Sequence, residues 1–220
     1  DAVDSTNAQA LRRGDGGCAA PRLVLAEKQT AGRGRRGRKW VSPFAQNMYY
    51  SLVLRIESGL RQLEGLSLVV GLAVMQTLRE SGVQNVTLKW PNDVLVGQKK
   101  IAGILLELVG DPADICHVVL GIGINVNMQR ADEVDQQWTS VQLQTDSPAN
   151  RNAMVAQLGL QLQRYLERHR EGGFVALKDE WEQNHAWQGR PVSLIAGISQ
   201  VDGIVLGDRK STRLNASHLV

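Results

Sequence analysis

GRGRRGRKW, residues Gly32 to Trp40, places three glycines, five cations (Arg33, Arg35, Arg36, Arg38, Lys39) and one tryptophan in nine positions. How the chain leaves this stretch decides the fold. Gly32, Gly34 and Gly37 match G-x-G-x-x-G, and Glu57 follows twenty residues later, as in a dinucleotide-binding βαβ unit. Such a unit needs a helix directly after the glycines, so that its N-terminus faces a pyrophosphate. Here Arg38-Lys39-Trp40-Val41-Ser42-Pro43 intervenes, and the segment that follows, NMYYSLVLRIE (Asn47–Glu57), is rich in the aromatic and β-branched residues of a strand. The glycines therefore belong to a loop between strands.

Two uses of such a loop remain besides a solvated surface charge run: a nucleic-acid arm, or a segment that closes over an anionic ligand. Charge distribution weighs against the first. The chain has 25 Lys and Arg against 22 Asp and Glu, but the last thirteen residues, DRKSTRLNASHLV, carry three of those cations and one acid. Without them 22 basic and 21 acidic residues remain, so the body is near neutral and its positive charge is local. Closure over a ligand suits the residue types better. Glycines let the backbone order around a ligand, arginines donate in pairs to carboxylate or phosphate, and Trp40 offers a face for a purine.

At 220 residues with 43% hydrophobic and 21% charged content, the chain has the composition of a globular protein with a sizeable core. Its apolar runs are too interrupted to span a membrane, and DAVDSTNAQALRR lacks a signal-peptide layout. The absence of a starting Met reads as a mature fragment or a truncated frame. Cys18 and Cys116 have neither metal-ligand spacing nor a disulfide framework, which points to reduced thiols and the cytoplasm. DRKSTRLNASH resembles the conceptual translation of a sequencing adapter, so residues 208–220 are set aside as an artefactual tail.

The remaining pattern is α+β with a mixed β-sheet and packed helices. Ser5 or Thr6 caps a helix over Ala8–Arg13, stopped at Gly14–Gly17. Strands are expected at Leu23–Thr30, Asn47–Glu57, Val86–Trp90, Val94–Val96, Ile101–Val109 and His117–Val126, with a tight turn at Gly97–Gln98. Helices are expected at Leu60–Ser81, Ala153–His169 and Phe174–Gln183, and Asp132–Asn150 reads as irregular. After the break at Gly189–Pro191, VSLIAG and GIVLG look like strands of a small β module.

Polar residues recur at strand ends. KWPND (Lys89–Asp93) puts a cation and a carboxylate around a proline-fixed bend. Lys100 precedes an apolar strand in which Gly103 permits close approach, and GIGIN (Gly121–Asn125) puts two glycines on a buried strand, the pattern of a pocket wall. Ser5, Thr6 and Asn7 add two hydroxyls and an amide. Read singly, these are a hairpin turn, a solubilising lysine and a helix cap.

Taken together, DSTN (Asp4–Asn7), QTAGRGRRGRKWVSPF (Gln29–Phe44), KWPND, KKIAGILLE (Lys99–Glu107) and GIGINVN (Gly121–Asn127) resemble the catalytic domain of biotin protein ligases, the biotin–[acetyl-CoA-carboxylase] ligase family, over about residues 3–207. The resemblance implies a class II synthetase-like fold for residues 1–186 and the start of a C-terminal SH3-like module at 187–207. It also implies ATP-dependent formation of biotinyl-5′-AMP, with Mg²⁺ accompanying ATP, and transfer of the biotinyl group to a lysine of a biotin carboxyl carrier protein.

By the same similarity, Ser5, Thr6, Asn7, Gln29, Gly32, Arg33, Gly34, Arg35, Lys100 and Gly103 would serve biotin. Arg35, Arg38, Trp40, Lys89, Asn92, Lys100 and Asn125 would serve the nucleotide. Lys100, Arg35 and Asp93 would carry the chemistry, and no metal ligand is assigned. Repressor members add an N-terminal helix-turn-helix domain, so DNA would be a partner only if such a domain precedes this chain. A lipoate or octanoate ligase is the neighbouring alternative, against which the Arg-rich loop and KWPND speak.

Overall fold

The computed structural model describes residues 1–14, 21–57, 60–110, 116–196 and 199–206. The expected helix stop over 15–17, Cys18 and the tail from Asp208 lie outside them. The chain folds around a six-stranded sheet. Its strands are β2 (Arg22–Ala26), β4 (Met48–Ile56), β5 (Val86–Lys89), β6 (Asp93–Val96), β7 (Lys99–Gly110) and β8 (Cys116–Ile124), in the order β2-β4-β8-β7-β6-β5. All five pairings are antiparallel. The expected mixing of directions is confined to a separate parallel pair, β1 (Ala2–Val3) with β3 (Lys28–Gln29), because the expected strand Leu23–Thr30 breaks in two after Ala26.

Alternation along β4, β8 and β7 from Ala102 onward gives the sheet two different faces. On one face Tyr50, Ile104, Leu120, Ile122 and Ile124 are buried in the main core. Against them packs α3 (Leu66–Glu80), which is apolar on nearly all sides because it lies between the sheet and α5 (Arg151–Gly172). Leu72, Leu78 and Leu158 have no exposed surface, and each such side chain contributes roughly 1.5–3 kcal/mol of burial. On the opposite face α1 (Thr6–Gly14) covers only a small cluster, Ala10, Val24, Val53 and Val119. The rest of that face is left for the site.

The helix expected over Leu60–Ser81 is interrupted. α2 (Leu60–Leu63) stops before Gly65, which takes φ 68° and starts α3. A Cβ there would lie 2.5 Å from the Phe174 ring, and His169 Nε2 holds the Glu64 carbonyl at 2.8 Å. The irregular segment contains a short helix, α4 (Val141–Thr145), whose Ser140 hydroxyl accepts from the Leu143 amide. The helix expected over Phe174–Gln183 divides into a 3₁₀ turn, Phe174–Leu177, and α6 (Lys178–Gln183).

Residues 184–186 then hydrogen-bond to Leu88 on both sides, covering the edge of β5. The chain enters the antiparallel hairpin β9 (Pro191–Ala196) and β10 (Ser199–Ile204), whose second strand starts earlier than Gly203 because Ile204 must pair with Pro191. Gly65→Ala should lower stability by roughly 2–4 kcal/mol, from left-handed backbone strain plus overpacking against Phe174. Urea denaturation measures it.

Candidate functional site

The site face is hollow because its strands carry glycines in register. Gly103 of β7 pairs with Gly123 of β8, and Leu105 pairs with Gly121. A Cβ on Gly121 would lie 2.3 Å from Asn7 Oδ1, and one on Gly123 would lie 2.6 Å from the Trp40 ring. These glycines are the floor on which two other segments rest.

The first segment is 5–7. Gln29 Oε1 accepts from the Thr6 amide (2.9 Å) and hydroxyl (3.1 Å), and Ser51 Oγ donates to Asn7 Oδ1 at 2.6 Å. Asn7 Nδ2 donates to Glu107 Oε2 at 2.7 Å. Ser5, Thr6, Asn7 and Ser51 are all buried, so these polar groups must satisfy one another or a ligand.

The second segment is the arginine loop, which forms a small hairpin of its own. Trp40 N donates to Gly32 O, Gly34 N donates to Arg38 O, and Arg35–Gly37 makes a 3₁₀ turn at the tip with Arg36 at φ 56°. Like charges are separated by distinct partners. Arg33 pairs with Glu107 at 2.9 Å, Arg35 Nη1 donates to Asn92 Oδ1 at 3.2 Å, and Lys39 pairs with Glu133 at 3.1 Å.

Two chambers result. The inner one is lined by Ser5, Thr6, Asn7, Gln29, Arg33 and Gly103, with Tyr49 in its wall. Burial raises the Tyr49 hydroxyl pKa, and that hydroxyl donates to Pro43 O. The outer cleft is larger and carries Arg38, Lys89, Asp93, Asn125 and Trp138. Gly34, Arg35, Trp40, Asn92 and Lys100 line both. At this throat Lys100 Nζ lies 2.7 Å from Asp93 Oδ1 and 5.4 Å from the centre of the Trp40 ring, whose Nε1 is buried without a partner among the described residues. The KWPND bend is pinned there by paired bonds between Asn92 and the backbone of Ile104.

Every residue assigned from the sequence to biotin, the nucleotide or the chemistry lines one chamber or the other except Gly32. A Cβ on Gly32 would meet the Trp40 carbonyl at 2.5 Å, so its need for glycine comes from the hairpin's own closure. Asn125 uses its amide to hold the Thr139 carbonyl at 3.0 Å, which ties down the segment bearing Trp138. Sequence reasoning missed Glu107 and Ser51. Glu107 is the one charged residue within Ile101–Val109, and Ser51 interrupts the apolar run of β4, which was the available signal.

It also missed the aromatic group at the far end of the cleft. His185 stacks on Trp181 at 4.6 Å, meets Trp187 edge-on at 6.2 Å, and Lys89 Nζ lies 4.9 Å over Trp187. Among the described residues, no group of three or more His, Cys, Asp or Glu side chains is placed to hold a metal ion, and no helix is long and apolar enough to cross a membrane.

A glycine-floored antiparallel sheet thus carries two chambers joined under a cationic hairpin, with Arg35 and Lys100 at their junction. The chain belongs to the biotin/lipoate A/B protein ligase family, whose model matches residues 2–125. It is 40% identical over 214 residues to the bifunctional ligase/repressor BirA of Escherichia coli (strain K12), covering 96% of this chain and 66% of that protein. It is 36% identical over 211 residues to the biotin–[acetyl-CoA-carboxylase] ligase of Paracoccus denitrificans, covering 93% and 87%. The chain thus spans just under two thirds of the BirA protein and most of the Paracoccus one. Among solved structures, the biotin protein ligase from Aquifex aeolicus in complex with biotin and ATP superposes with a TM-score of 0.79 at 31% identity, over 94% of this chain and 85% of that one.

Burial without hydrogen-bond partners lowers the His185 pKa from 6.5 to about 4. A depressed pKa means the neutral ring favours the folded state, so this contribution is complete above pH 6.5 and is lost as pH falls through 4. His185→Phe should therefore flatten the decline in urea midpoint between pH 6.5 and 4.5 relative to the parent chain.

Proposed function

We propose that the chain is the catalytic domain of a biotin protein ligase that makes biotinyl-5′-AMP from biotin and ATP and passes the biotinyl group to a lysine of a carrier domain. One observation carries this reading. The inner chamber and the outer cleft share Gly34, Arg35, Trp40, Asn92 and Lys100, so a carboxylate at the mouth of the first meets a phosphate lying in the second beside two cations. The inner chamber, with the Ser5 and Thr6 hydroxyls and the Asn7 and Gln29 amides, suits a ligand with a polar, uncharged head. The names of the relatives support biotin as that ligand and ATP as its partner.

In the first step a carboxylate oxygen attacks the α-phosphorus, the bond to the β-phosphate oxygen breaks, and pyrophosphate leaves. Both reactants are anions, so charge neutralisation and alignment account for most of the rate. Arg35 and Lys100 supply both. Asp93 holds the Lys100 ammonium at the throat, and Asn92 does the same for Arg35. Trp40 offers its face to the adenine, while Arg38 and Lys89 reach the phosphates from the cleft walls.

In the second step the carrier's lysine amine attacks the acyl carbon, the bond to the phosphate oxygen breaks, and AMP departs as the amine loses a proton. The nucleophile comes from the partner, so no serine or cysteine of this chain is required. Mg²⁺ keeps several waters and needs one or two carboxylates besides the phosphates. Asp93 is the carboxylate at the throat that would hold it, and the ion would neutralise the departing pyrophosphate. A reaction that consumes ATP and modifies a carboxylase belongs in the cytoplasm.

Biotin-dependent exchange of labelled pyrophosphate into ATP tests the first step. Lys100→Ala and Arg35→Ala should each lower its kcat/KM by roughly 100-fold or more. Exchange supported by lipoate or octanoate in place of biotin would overturn the substrate assignment. Biotin with ATP should also slow tryptic cleavage within residues 33–39, and an unchanged digestion pattern would count against closure of the hairpin over its ligands.

A further inference from the structure

We infer that Glu107 is a positioning residue for the inner chamber: its carboxylate clamps segment 5–7, the arginine hairpin and strand β7 into one wall. Glu107 Oε2 accepts from Asn7 Nδ2 at 2.7 Å and from Arg33 Nη2 at 2.9 Å. Asn7 also reaches the Leu105 carbonyl at 3.4 Å. Three stretches far apart in the chain, around residues 7, 33 and 107, therefore converge on one carboxylate oxygen.

The sheet is built to permit this convergence. Glu107 projects from the same face of β7 as Gly103, and Asn7 crosses the sheet over Gly121, where any side chain would collide with it. A carboxylate suits the task because it accepts several hydrogen bonds and offers none to compete. The Glu107 side chain is 22% exposed and Arg33 is 45% exposed, so the pair is partly sheltered from solvent.

The contact also defines what the Arg33 side chain does. Its guanidinium is held at the inner wall, away from the throat, and Arg33 does not line the outer cleft. Arg33 is the first cation of the hairpin, so fixing it sets where the stem leaves the sheet. Arg35, two residues further on, has its own partner in Asn92, so its place at the throat does not depend on Glu107. Without Glu107, Asn7 loses its 2.7 Å partner beside Ser51 and Thr6, and the hairpin stem loses its anchor. The expected result is weaker binding of the inner ligand with the throat chemistry intact.

This inference rests on the ligase reading, and the experiment separates the two. Biotin binding to the 220-residue chain is measured by calorimetry, and KM for biotin, KM for ATP and kcat by pyrophosphate exchange. Glu107→Ala should weaken biotin binding by roughly tenfold, while kcat and KM for ATP stay within about twofold. Glu107→Gln keeps the size and the acceptor oxygen and should recover much of that loss. Arg33→Ala combined with Glu107→Ala should be less harmful than the two separate losses multiplied, because both act through one contact.

A parent chain that does not bind biotin overturns the ligase reading and this inference with it. Biotin binding that is present in the parent and unchanged in Glu107→Ala overturns this inference alone. An equal loss of biotin and ATP affinity in Glu107→Gln, with a lowered urea midpoint, also overturns it by showing a general structural role.

Discussion

Absence of side chains at Gly103, Gly121 and Gly123 is the constraint on which the site depends. The antiparallel register of β7 and β8 aligns these positions on one face, while the alternate residues, Ile104, Leu120, Ile122 and Ile124, are buried on the other. The same two strands therefore build the core and clear the site. A single extra carbon at Gly121 or Gly123 would collide with Asn7 or Trp40, so the hollow is filled by elements brought from elsewhere in the chain. A slip of one residue in this register would turn the glycines into the core and the isoleucines into the chamber.

What fills the hollow is held mainly by polar contacts. Segment 5–7 is tied to Gln29, Ser51 and Glu107, and the arginine hairpin is tied to Glu107, Asn92 and Glu133. Five cations in nine residues would repel one another if left unpaired, and these partners hold Arg33, Arg35 and Lys39 apart. The hairpin is thus ordered without being buried. Ligands can exchange its surface partners for their own charges, whereas the apolar core behind the sheet has no reason to move. Division between a rigid core face and a polar, exchangeable site face is what the proposed reaction between two anions needs.

The outer cleft depends on the far end of the chain. Residues 184–186 cover the exposed edge of β5 and place Trp187 under Lys89, with His185 wedged between Trp187 and Trp181. The hairpin β9–β10 follows from there and contributes Val192, Ser193 and Val205 to the cleft. The wall of the outer cleft is therefore continuous with the β9–β10 hairpin.

Much of this was legible in the sequence, for local physical reasons. A strand after Trp40 excluded the dinucleotide fold, alternating glycines on an apolar strand announced a wall, and lysine or asparagine at strand ends marked what lines it. The α+β class and nearly all the strands follow from periodicity. The split at Gly65 did not, because it answers to Phe174, more than a hundred residues away. Nor did the roles of Glu107, Ser51 and His185, since a single polar residue carries no sign of its partner. The sequence by itself determined which residue types were available and in what local conformation. Only the tertiary structure decided which met, because the convergence of residues 7, 33 and 107 on one carboxylate is set by strand register and not by spacing along the chain.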